Sequence, residues 1–165
     1  MTAARRSWKS RREAMLYFAI LAGSGLGSRP AGAATTERVV SDPRSGLAIG
    51  GYDPVAYFTD AAPLPGRPEF ELTFAGVVWR FRNEGNRSAF AAYPEAFMPG
   101  FGGYDPMSVA RGASAPGHAE LWMIADDRLY LFFTDTARAA FAVDPEPAIE
   151  AAERAWPAVL RTLSP

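Results

Sequence analysis

The chain contains no cysteine, one lysine and one histidine. Without cysteine there are no disulfides, thiolate metal sites, iron–sulfur clusters or cysteine nucleophiles. The one lysine, Lys9, lies in a segment that reads below as a removable leader, so a chain starting near Ala34 has none. That excludes a phosphate-binding loop with its lysine, a Schiff-base enzyme and a Ser/Lys hydrolase. With His118 as the single histidine, zinc sites built on two or three histidines are excluded as well. Apolar and aromatic volume, by contrast, is plentiful. In 165 residues, 48% are apolar and 13% aromatic, which suits one core of ordinary make-up and is short for two domains.

Residues 1–33 differ from the rest. Arg5, Arg6, Lys9, Arg11 and Arg12 form a basic start, Ala14 to Leu26 an apolar stretch, and Ala31-Gly32-Ala33 a small-residue cleavage site. The expectation is a secretory signal peptide cut near Ala33/Ala34, which places the mature protein in the periplasm or otherwise outside the cytoplasm. The apolar stretch is well short of the ~20 residues a membrane span needs, so no stable span is expected after leader removal. Ser10-Arg11-Arg12-Glu13-Ala14-Met15-Leu16 resembles a twin-arginine export signal, with general secretion as the other route. Beyond the leader, 11 arginines stand against 17 Asp and Glu. A lysine-free acidic domain is a poor binder of nucleic acid or anionic lipid, and both are excluded as partners.

Residues 34–46 are polar and without periodicity, and read as a linker; the domain is expected over 47–163. Phe70 to Phe74 and Val77 to Phe81 alternate about Ala75-Gly76 as a hairpin with one buried face, shared by Trp79 and Phe81. A second hairpin joins Leu121–Ile124 to Leu129–Phe133 across Asp126-Asp127. Asn86 suits the cap of a helix that carries Phe90 and Tyr93 on one face and stops at Pro94; Thr134 and Asp135 cap another through Phe141. A last helix starts at Asp144-Pro145 and runs through Ile149, Ala152, Trp156 and Leu160, with Pro157 expected to kink or split it. The fold class is α+β: a small single domain of antiparallel hairpins, candidates for one sheet, packed with short helices and a C-terminal helix.

Gly50-Gly51-Tyr52-Asp53-Pro54 recurs letter for letter as Gly102-Gly103-Tyr104-Asp105-Pro106. One reading is mechanical: glycines for positive φ, Asp as helix cap, Pro in the first turn. The other is functional, because a glycine-rich loop entering a helix points backbone amides at a ligand. On that reading Tyr52, Asp53, Gly102, Gly103, Tyr104 and Asp105 are the candidate ligand-binding residues, with both loops facing one cleft. For a metal, Met98, Met107 and His118 supply thioether and imidazole donors suited to Cu(I), while Asp53, Asp105 and His118 would suit a harder ion.

Gly51-Tyr52-Asp53-Pro54-Val55-Ala56-Tyr57-Phe58, the Phe74/Gly76/Trp79/Phe81 hairpin, Asn86, Phe90, Pro99-Gly100-Phe101-Gly102-Gly103-Tyr104, Trp122/Ile124, Leu129-Tyr130-Leu131 and Trp156-Pro157 together resemble the exported bacterial YHS-domain proteins. The resemblance covers nearly all of residues 47–158. It implies a small accessory module that handles a transition metal such as copper. In many members a cysteine follows the glycine-glycine-tyrosine; here that position is Asp105, so a thiolate site does not carry over. Three functions follow as expectations: a non-enzymatic accessory protein with a copper-type role; a metal-free module that binds a periplasmic protein or a small ligand through the two loops; and, as a minor alternative, an enzyme using Asp53 and Asp105 as a carboxylate pair assisted by His118 or a tyrosine.

Overall fold

The computed structural model describes residues 38–163; residues 1–37, on which the expected leader falls, and 164–165 lie outside them. Both hairpins form where alternation predicts them. Strand β1 (Arg67–Phe74) pairs antiparallel with β2 (Val77–Phe81), and β3 (His118–Ala125) with β4 (Arg128–Phe132). Each hairpin turns on two residues of positive φ, Ala75-Gly76 and Asp126-Asp127, the geometry that matches strand twist across a two-residue loop. The hairpins do not join: among the described residues they are two separate two-stranded sheets, because each sheet packs face-on against its own helix instead of edge-on against the other sheet.

Among the described residues six helices complete the α+β domain. They are α1 (Ala56–Thr59), α2 (Glu84–Ala92), α3 (Pro94–Phe97), α4 (Pro106–Val109), α5 (Asp135–Val143) and α6 (Pro145–Thr162). Asn83, not Asn86, caps α2, its side chain accepting the Asn86 amide at 2.8 Å. Phe90 is fully buried, but α2 ends at Ala92, which leaves Tyr93 70% exposed and off that face. Thr134 caps α5 as expected, whereas the Asp144 side chain makes no capping bond to α6. Pro157 sits inside α6 without splitting it. The missing N–H removes one helical bond, while Ala152, Trp156 and Val159 on either side are held by packing. No helix among the described residues is long and apolar enough to cross a membrane.

The pentapeptide is the visible part of a longer duplication. Residues 49–92 and 100–143 follow the same order: a 3₁₀ turn (Ile49–Gly51; Gly100–Gly103), a one-turn helix, a hairpin and a nine-residue helix. Asp53 N–H donates to the Leu64 carbonyl and Asp105 N–H to that of Ala115, both at 2.9 Å; Gly66 N–H donates to Gly51 and Gly117 N–H to Gly103, again at 2.9 Å. Both first strands break register after their first pair, at Arg67 and at His118. Phe90 packs on Trp79 and Phe81 at ring distances of 4.9 and 5.2 Å, and Phe141 on Tyr130 and Phe132 at 5.2 and 5.1 Å. Burying rings of this size stabilises by about 2–3 kcal/mol each, so each hairpin is anchored to its own helix.

The two repeats stack head to tail. The other face of the second hairpin, Trp122, Ile124, Leu129 and Leu131, joins the central cluster with Val55, Tyr57, Trp79 and Phe81 of the first repeat. Register-matched positions on the first hairpin are Glu71, Thr73, Val78 and Arg80, a polar face with a Glu71–Arg80 ion pair at 2.7 Å. Tyr57 of the first repeat meets Trp122 edge-on at 5.3 Å. Its counterpart in the second, Val109, lies instead under α6 with Tyr104, Ala152, Val159 and Trp156. Helix α6 therefore covers the surface that a third repeat would cover. Val39 and Val40, assigned by sequence to the linker, are 2% and 7% exposed, and Val40 N–H donates to Gly102 at 2.7 Å.

Candidate functional site

The two pentapeptide loops are built alike. Gly50 and Gly51 have φ of 69° and 81°, and Gly102 and Gly103 have 63° and 91°, a region that favours glycine. At Gly102 a Cβ would collide with the Arg38 carbonyl, so there glycine is required. The amides of Gly50, Gly51, Tyr52 and Asp53 are taken by Leu47, Ala48, Ile49 and Leu64, and those of Tyr104 and Asp105 by Phe101 and Ala115. These donors close the loops instead of facing a ligand.

Both aspartates are sealed in the interior, at 0% and 1% exposure. Asp53 Oδ1 accepts from Val55 N and Ala56 N, and Oδ2 from Arg82 N and the Asn86 amide. Asp105 Oδ1 accepts from Met107 N and Ser108 N, and Oδ2 from Phe133 N. Each carboxylate ties a helix start to the residue after its hairpin. With their oxygens occupied in this way, the two carboxylates are held apart as structural acceptors in separate repeats, not paired around a shared proton.

The tyrosines part company. Tyr104 is 6% exposed and packs against Trp156 of α6 at a ring distance of 6.1 Å. Tyr52 is half-buried and lines an open cleft of about 440 Å³ with Ser41, Asp42, Gly50, His118 and Glu120. Its hydroxyl donates to Glu120 Oε1 at 3.1 Å. Burial first, and then the Glu120 carboxylate, push the Tyr52 phenol above its ordinary value. The second loop does not line this cleft: Gly102 borders a separate groove with Met98, Phe101 and Trp156. The expected single cleft facing both pentapeptides is therefore not formed, because head-to-tail stacking puts equivalent loops against different neighbours.

The three candidate soft donors occupy three neighbourhoods. Met98 packs against the central core, Met107 against Tyr130, Phe132 and Phe141, and His118 stacks flat on Phe133 with ring centroids 5.6 Å apart. Both methionines have apolar partners that account for them. Among the described residues no group of three His, Asp or Glu side chains could hold a metal ion. Asp53 and Asp105 have their oxygens occupied by backbone and Asn86 donors, so with His118 they do not form the hard-ion centre the sequence suggested.

Sequence reading missed Glu120 and Asp42, which line the cleft together with His118 and Tyr52. For Glu120 a signal existed: His118 and Glu120 alternate at the start of an otherwise apolar strand, so they share its solvent side. Asp42 had none, since only tertiary folding brings it there. Its Oδ1 accepts from Arg44 N, Ser45 N and Ser45 Oγ, and these bonds hold its carboxyl below the usual range. Comparison with family models, with curated proteins and with solved structures finds no match to this chain.

Proposed function

We propose that the protein is a non-catalytic binding module that acts after export and holds a small ligand in the Tyr52 cleft. One observation carries the reading: of two tyrosines in identical pentapeptides, one is sealed under α6 while the other faces an open cleft and bonds an exposed carboxylate. A volume of about 440 Å³ falls in the range of small-molecule sites, and the lining combines an apolar floor of Val40 and Ile49 with a few polar groups. The YHS resemblance supports an exported accessory role. Its copper-type chemistry would call on Met98, Met107 and His118, each of which has a packing partner that accounts for it, and we take the metal-free form of the module.

The test is ligand-observed NMR with a panel of small polar metabolites on wild type, Tyr52→Phe and Tyr104→Phe. Capture lost in Tyr52→Phe and kept in Tyr104→Phe supports the reading. Equal capture by all three overturns the placement of the site, and a stoichiometric metal on protein isolated without affinity metal overturns the metal-free form.

A further inference from the structure

We infer that the cleft binds a small organic ammonium ion, a step that rests on the binding-module reading. The lining contains two carboxylates, Asp42 and Glu120, and neither arginine nor lysine. Elsewhere Glu71, Asp60, Glu84, Asp135 and Glu150 are each paired with an arginine. Among the described residues, Glu120 has no such cation; its partner is the neutral Tyr52 hydroxyl, which occupies Oε1. Oε2 of Glu120 and Oδ2 of Asp42 take no bond from a described side chain or amide.

The aromatic groups have the complementary character. The Tyr52 ring forms one wall, and His118, whose plane is fixed at 19° to the Phe133 ring, forms another. Phe133, 47% exposed, covers one face of the His118 ring. The electron-rich Tyr52 ring beside two carboxylates, with apolar Val40, Ile49 and Pro116 between, attracts a cation that carries its own methyl or methylene groups. An anion meets two like charges there. A neutral ligand gains the apolar contact and leaves the carboxylates solvated.

The experiment titrates the full chain with choline and with its neutral carbon isostere, 3,3-dimethylbutan-1-ol, following the Tyr52 and His118 ring resonances. Choline is expected to shift both and to bind about ten-fold more tightly than the isostere, the size of one partly desolvated cation–aromatic contact with a carboxylate. Glu120→Gln, an exposed site whose change leaves the cores intact, is expected to remove that preference. Equal affinity for the two probes overturns the ammonium inference and leaves the module standing. Binding of choline unchanged in Glu120→Gln overturns it as well. Absence of any shift with either probe overturns it, and the metabolite panel then decides the module separately.

Discussion

The carboxylate of Asp53 accepts the backbone amide of Arg82 at 2.8 Å, across 29 residues of chain. The matching bond in the second repeat runs from Phe133 to Asp105 at 2.9 Å. A helix cap is usually local; these two also staple the end of a hairpin to the start of the loop that precedes it. The repeat is thereby closed on itself, each carboxylate supplying a partner to a part-buried amide at the end of a hairpin.

Replacing either aspartate with asparagine puts an NH₂ group opposite backbone donors. Asp53→Asn is expected to lower stability by about 2–4 kcal/mol, since hydrogen bonds to a charged group are the stronger kind. Asp105→Asn should cost less, because Asp105 Oδ2 accepts one bond where Asp53 Oδ2 accepts two. Urea denaturation of both variants measures this. A change below about 0.5 kcal/mol in either would show that the staple does not hold the repeat.

Tyr57 offers a test with a defined pH direction. Its side chain is 1% exposed and its hydroxyl donates to the Ala119 carbonyl at 2.8 Å. Burial, then the charges of Tyr52, Asp53 and Glu120, push its phenol well above the ordinary range. The folded state therefore keeps a proton that the unfolded chain releases near pH 10. Stability from this group is full below about pH 10 and is lost as pH rises beyond it. Tyr57→Phe should cost about 1 kcal/mol at neutral pH from the lost hydrogen bond and flatten the alkaline fall. Equal alkaline slopes for wild type and variant would contradict the assignment.

Helix α6 is expected to behave as a cap on the second repeat. Trp156 contacts Phe101 at 5.7 Å and Tyr104 at 6.1 Å, while Ala152 and Val159 lie at 0% and 1% exposure. Trp156→Ala should destabilise by about 2–3 kcal/mol, somewhat below a fully buried truncation because the indole is half-buried. Hydrogen exchange should accelerate in α6 and α4 first, with the first repeat protected longer. Uniform loss of protection across both repeats would mean that α6 is part of one indivisible core.

Much of the local structure was legible. Alternation marked both hairpins, Ala75-Gly76 and Asp126-Asp127 marked their turns, and the doubled pentapeptide marked two loop-to-helix starts with aspartate caps. One misreading is local in origin. Asn83 and Asn86 lie three residues apart and either can begin a helix; the choice fell to Asn83 because the Asn86 amide is drawn to Asp53 at 2.6 Å.

What the sequence by itself determined are features written within a few residues: strand alternation, positive-φ turns, capping carboxylates, and the exclusion of thiolate and multi-histidine chemistry. What only the tertiary structure decided is which face meets which. Trp122 and Glu71 occupy matching places in the two repeats, yet one is packed against Tyr57 and the other ion-paired with Arg80. Tyr52 and Tyr104 sit in identical pentapeptides, yet one opens on a cleft and the other lies beneath α6. The physical reason is range. Hydrogen bonds and backbone sterics act between neighbours in the chain and leave a local pattern, whereas burial is settled by the sum of contacts among segments some fifty residues apart, to which no short stretch bears witness.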